Sequence, residues 1–301
     1  MSNSSTPYDD SFRTLLTDCS RLVIPLVNEI FNENHDENAR VELYQNEVFI
    51  SNGDDRKRVT DSNFSIGNNC DRYHIECQSS SDGTIIVRIF EYATQIAKLT
   101  ADNNGNRTYF NLPKSGILYL KSTKNTFDEH EITIVAPNGH ELSYTVPAIK
   151  IQSYTLDEIF KRNLWFLIPF YFFNFDMDDM EISQEKIKEM QNVYRNLWHK
   201  LDDLVELGQL SEIEKCTIKA MCDKVANALT ERYGNVRKGV EEVMGGQVLD
   251  YEAKKIAVNE RIDAVVKMFS LNKLSEEEIR SCYPEQFEAG KAKYLSSLKE
   301  K

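Results

Sequence analysis

The sequence has no run of about 18 apolar residues, the length a helix needs to cross a bilayer. Its densest apolar stretch, residues 164–173, is too short and carries Pro169. The start, MSNSSTPYDDSFR, lacks the basic-then-apolar pattern of a secretory signal, so the expected location is the cytoplasm, with no membrane partner. Paired cysteines are missing too. The six lie at 19, 70, 77, 216, 222 and 282, with no CxxC and no histidine cluster to complete a zinc site. In a reducing compartment they read as free thiols, several of them buried. Positive charge is scarce: 36 Lys and Arg against 48 Asp and Glu leave a net charge of −12. That balance opposes gripping nucleic acid over the whole surface, so a nucleic-acid function would need a local basic face. There is no internal repeat or low-complexity segment.

What is present suits a soluble globular chain, with 41% apolar and 28% charged residues in 301 positions. That length holds one large domain, or a core domain with a helical appendage. Residues 12–31 carry apolar positions at helical spacing, with Pro25 expected to break or kink the run. Three β-like runs follow at 42–50, 59–66 and 72–78, separated by the turn clusters SNGDDRK and GNNCD. They read as an antiparallel meander. A helical pattern from 84 to 99 puts Ile85, Ile89, Tyr92 and Ile96 on one face and ends in ADNNGNR. GILYLK at 116–121 reads as a buried strand, and 130–135 with 140–146 as a hairpin around PNG.

Composition changes near residue 152. Thr155 and Glu158 have capping-box spacing and open a helix expected to contain the aromatic run LWFLIPFYFF. Ser211 with Glu214 and Ser275 with Glu278 repeat that spacing, and Gly245-Gly246 marks a break. The expectation is an α/β domain over 1–152 and a helical region over 153–301. The stretch 247–298 reads either as an oligomerisation helix pair or as a solvated extension.

The residues that carry chemistry lie on two of the strands, VTDSNFSI and RYHIECQS. Side chains two apart on a strand share a face, so Glu76 and Gln78 point one way and Cys77 the other. His74 shares their face in a regular strand, as a supporting group or as a satisfied buried histidine. A hairpin around GNNCD can bring Asp61 beside Glu76, with its register open. Two carboxylates at strand ends suit a hard divalent cation, Mg²⁺ or Mn²⁺, which takes oxygen ligands. The Cys77 backbone carbonyl is a further candidate ligand, and Gln78 a group to orient water or hold a phosphate oxygen. On spacing alone, a solvated strand with an Asp and a Glu looks the same. Arg88 reads equally as a phosphate-steering group or as the partner of a core carboxylate, and Tyr92 as core. Residues 56–58, RKR, are the best local basic patch or simply a solvated hairpin end. The aromatic run reads as packing more readily than as a base-stacking surface.

Read together, the first hundred residues resemble the PD-(D/E)XK nuclease family transposases, close to the recombination-promoting nucleases. YDDSFRTLL resembles the opening Asp-x-x-Phe-Lys/Arg pattern, with Asp9, Phe12 and Arg13 in the matched places. RVTDSNFSI resembles the approach to the strand Asp, here Asp61. IECQSSSDGTIIVRIFEY resembles the Glu-x-Gln-Ser segment and the helix after it, with Glu76, Gln78, Ser79, Arg88 and Tyr92 in place. Looser likeness continues through YTLDEIF, FLIPFY and VMGG to about residue 250. The resemblance implies a restriction-endonuclease-like core, a mixed sheet flanked by helices, with metal held by Asp61 and Glu76. It also implies DNA hydrolysis connected with recombination, mobile elements or defence. Where the wider superfamily has Glu-x-Lys, this chain has Gln78, which the nearer family tolerates. A first-helix glutamate often assists the metal in the wider fold, and Glu29 is the candidate here. The alternative is a catalytically degenerate member that binds DNA or a protein without cutting.

Overall fold

The computed structural model describes residues 6–44, 47–49, 57–59, 62–67, 71–79, 83–245, 247–271 and 273–299. Helix α1 (Pro7–Asp18) starts at a capping box: the Asp9 amide donates to the Thr6 hydroxyl at 3.2 Å, and the Thr6 amide to the Asp9 carboxylate at 2.9 Å. The break expected at Pro25 comes earlier, at Cys19 and the 3₁₀ turn Ser20–Leu22. Pro25 falls in the first turn of α2 (Val23–Phe31). The amide it lacks is one the helix start would not have used, so it is compatible with helix initiation there.

The strands are β1 (Val41–Leu43), β2 (Glu47–Phe49), β3 (Lys57–Val59), β4 (Phe64–Ile66) and β5 (Arg72–Gln78). Helix α3 (Ile85–Leu99) follows, then β6 (Asp102–Asn104), β7 (Arg107–Tyr109), β8 (Lys114–Tyr119), β9 (Glu129–Val135) and β10 (Glu141–Lys150). The first two runs of the expected meander are each divided. β1 pairs with β4 and β4 with β5, all antiparallel, while β2 and β3 form a separate two-stranded ladder. The main sheet is mixed and six-stranded, in the order β1-β4-β5-β8-β10-β9. Strands β5, β8 and β10 run parallel at its centre, β8 being reached from β5 through α3. The polar cluster after α3 forms the β6–β7 hairpin around Gly105, whose φ of 65° suits glycine.

Helices cover both faces of this sheet. On one, Ile75, Cys77, Leu118 and Leu120 join α1 and α2 in the main apolar core. The approach is close: a Cβ at Gly116 would stand 2.7 Å from Ile30 Cγ2, so β8 needs glycine there. On the other face, Ile117, Tyr119, Val146 and Ala148 pack with Ile85 and Ile89 of α3.

The rest of the chain is helical: α4 (Leu156–Lys161), α5 (Met177–Ile182), α6 (Gln184–Glu206), α7 (Glu212–Leu229), α8 (Gly234–Met244), α9 (Gln247–Leu271), α10 (Glu276–Cys282) and α11 (Phe287–Lys299). The helix opened by Thr155 does not contain the aromatic run. It ends at Lys161, Asn163 takes a left-handed φ of 56°, and a separate 3₁₀ helix, Trp165–Asn174, holds the aromatics around Pro169. That segment is apolar on nearly every side and buried, and Pro169 withholds the amide an α-helix interior requires. Phe166 and Phe170 pack on Phe12, so residues on both sides of position 152 share one core. Among the described residues, no helix is long and apolar enough to cross a membrane.

Candidate functional site

Strand alternation builds the site. Along β5, Ile75 and Cys77 turn into the main core, and His74, Glu76 and Gln78 turn toward α3. All three are buried, at 0%, 4% and 4% exposure, so each polar atom needs a partner inside the fold. His74 Nε2 lies 3.0 Å from Glu76 Oε1. A carboxylate only accepts, so with Glu76 ionised it is Nε2 that carries the proton. His74 Nδ1 lies 3.3 Å from the hydroxyl of Ser115, its direct neighbour on β8, and the ring meets Tyr92 of α3 edge-on at 5.7 Å.

Arg88 closes the cluster from the first turn of α3. Its Nη2 donates to Gln78 Oε1 at 2.7 Å and stands 3.8 Å from Glu76 Oε2. Both sequence readings of Arg88 remain compatible with this, since the core carboxylate it faces is Glu76 itself. The guanidinium sets the orientation of Gln78, turning its amide carbonyl toward the helix. Tyr92 is core, at 3% exposure.

Ser62 ties the segment before β4 to β5. The Ile75 amide donates to the Ser62 hydroxyl at 2.6 Å, and that hydroxyl donates to the Ile75 carbonyl at 2.9 Å. The side chain thus continues the β4–β5 pairing past Phe64 and Tyr73. Asp61, the preceding residue, lies outside the described residues, as does Arg56; Lys57 and Arg58 are on β3.

Glu29 is not brought to the cluster. It lies on α2, across the sheet from α3, where it accepts from Tyr154 Oη at 2.9 Å and from Arg162 Nη1 at 2.6 Å. The Cys77 side chain is in the core, leaving its main chain level with Glu76 and Gln78. Sequence reasoning missed Ser62 and Ser115. Ser62 is adjacent to the strand Asp, a position that invites inspection, whereas Ser115 becomes visible only once β8 is paired with β5.

The described part of the cluster offers one carboxylate, Glu76, and one amide oxygen, Gln78, and both are the oxygen donors that hard cations such as Mg²⁺ or Mn²⁺ take. Among the described residues, no group of three or more His, Cys, Asp and Glu side chains is gathered to hold a metal. Removal of the arginine should report on this cluster. Arg88→Ala takes the cation from beside the buried Glu76 carboxylate and the donor from Gln78, and is expected to lower the melting temperature. Arg88→Lys should recover only part of it, since a single ammonium cannot reproduce the fork. Thermal melts of the three proteins check this, and an Arg88→Ala variant melting with wild type would show that the cluster stands without its arginine.

A second polar cluster lies where β5 begins. Glu33 accepts from Tyr73 Oη at 2.5 Å and Lys114 Nζ at 2.6 Å, with His35 Nε2 at 2.6 Å. Burial pushes the Glu33 carboxyl up, but the hydrogen bonds from Lys114, Tyr73 and His35 outweigh it and hold it below its ordinary value. A carboxyl held low in the folded chain adds stability above its ordinary range and loses it as pH falls. Glu33→Gln should therefore melt below wild type at pH 7, with the gap narrowing below about pH 4. Thermal melts of both proteins from neutral to acid test the sign: a gap that widened in acid would contradict it.

Compared with family models, curated proteins and solved structures, the chain matches none.

Proposed function

We propose that this protein is a metal-dependent DNA endonuclease of the PD-(D/E)XK kind, related to the nuclease family transposases and recombination-promoting nucleases. The observation that carries the reading is the buried file of Glu76 and Gln78 on a central strand, cross-linked by Arg88. A buried carboxylate gripped by two cationic or hydrogen-bonding groups is costly to keep for structure alone, and functional sites are where such costs concentrate. In this reading Asp61 and Glu76 hold Mg²⁺ or Mn²⁺, with the Cys77 carbonyl as a further oxygen. Such an ion supplies a water of lowered pKa and an electrostatic partner for charge building on a phosphodiester. His74 fixes one oxygen of Glu76 and Arg88 balances the other. Gln78, oriented by Arg88, offers its amide to the water or to a phosphate oxygen, in the place where the wider superfamily has lysine.

A second reading, DNA or protein binding without cleavage, is favoured by Gln78, which carries no charge, and by the net charge of −12. The experiment that separates them is incubation of supercoiled plasmid with wild type and Asp61→Ala, in Mg²⁺ or Mn²⁺, with and without chelator. Metal-dependent nicking lost in the variant supports the endonuclease. Intact plasmid with a folded wild type would transfer the reading to binding alone.

A further inference from the structure

An open cavity of about 990 Å³ lies at the start of β5 and β8, beyond the end of α3. Its lining mixes cation and aromatic groups. The Arg72 guanidinium carbon lies over the Tyr44 ring, 3.7 Å from its centroid, with no carboxylate within ion-pairing distance among the described residues. A stacked guanidinium keeps its N–H edge for an anion. Lys114 also lines the cavity, but it is committed to Glu33 and Asp71 at 2.6 and 2.8 Å. Phe110 projects from the rim with 60% of its surface exposed. Tyr144 lines the cavity wall, its hydroxyl buried and with no hydrogen-bond partner among the described residues.

A cation beside exposed aromatic surface is the chemistry that binds a nucleoside phosphate, with phosphate on the guanidinium and base against a ring. Position then indicates its source. Arg72 and Glu76 project to the same side of β5, four residues or about 13 Å apart, which is about four stacked nucleotides at 3.4 Å each. Ser115 links the cavity to the site: it lines the cavity and meets His74, which contacts Glu76.

We infer that this cavity binds an unpaired stretch of the DNA strand, phosphate on Arg72 and base on Phe110, beside the Glu76 site. The inference rests on the endonuclease reading for its substrate, but binding can be measured without cleavage. The test is fluorescence anisotropy of a labelled oligo-dT in chelator, with wild type, Phe110→Ala and Arg72→Ala, against the matching duplex and competing thymidine monophosphate. Phe110 is exposed, so its variant keeps the fold even where Arg72→Ala does not. The expected result is a roughly 5- to 100-fold weaker hold on single strand for Phe110→Ala. Arg72→Ala should also flatten the salt dependence by about 0.7 in log–log slope, one phosphate contact. Unchanged binding in a folded Phe110→Ala overturns the inference. So does competition by the free nucleotide at the concentration where the oligonucleotide itself binds, which would make the cavity a mononucleotide pocket. Plasmid nicking by the same wild-type preparation separates the two failures. Nicking with unchanged variant binding sinks the cavity assignment alone, whereas single-strand binding without nicking sinks the endonuclease and leaves the cavity standing.

Discussion

Glu76→Gln is expected to lose at least about 100-fold in metal-dependent nicking while melting close to wild type. Groups that merely support a metal ligand cost 10- to 100-fold when removed, and Glu76 is read as the ligand itself. The glutamine is the informative replacement because it keeps the shape of a side chain only 4% exposed. Its amide carbonyl can still accept from His74 or Arg88, the two groups that now hold the carboxylate. What it removes is charge. Loss of activity with the melting temperature preserved thus assigns the effect to the ion, and Mn²⁺ titration should show weaker metal response in the same variant. If Glu76→Gln nicks at the wild-type rate, the carboxylate is structural and the endonuclease reading loses its centre.

The second large effect concerns folding. Phe12→Ala should destabilise the protein by about 3–5 kcal/mol, the range for emptying a buried phenylalanine site. Phe12 has no exposed surface and lies 5.0 Å from the Phe166 ring and 6.5 Å from Phe170, centroid to centroid. Its partners come from beyond residue 152, so the loss should be felt on both sides of that position. Urea melts followed by tryptophan fluorescence and by far-UV circular dichroism should move together to lower denaturant. Both tryptophans, 165 and 198, lie in the helical region, while circular dichroism also reads the sheet. A tryptophan transition that stayed in place while the other moved would mean that the helical region folds on its own.

Much of the site's local geometry was legible in the chain because it depends on short-range rules. Alternation alone puts His74, Glu76 and Gln78 on one side of a strand and Cys77 on the other, and the periodicity of residues 84–99 gives α3 and its buried face. The remainder depends on what packs where. Nothing local says that α3 lies over β5 so that Arg88 meets Gln78 and Glu76, or that α2 takes the opposite face and carries Glu29 away to Tyr154 and Arg162. Parallel pairing of β5 with β8 joins residues some forty positions apart through a crossover, so Ser115 could not be matched to His74 beforehand. The helix boundaries went astray for a related reason. Pro25 and Pro169 are each compatible with more than one local geometry, and neighbouring turns and burial decide between them.

The placement of β5 has one more consequence. It is an interior strand, flanked by β4 and β8, with α2 and the main core against one side and α3 against the other. Its backbone amides are therefore expected among the last to exchange with solvent, opening only when the domain as a whole opens. A carboxylate mounted there is expected to keep its alignment for as long as the sheet persists. On the endonuclease reading, nicking and structure should be lost at the same temperature.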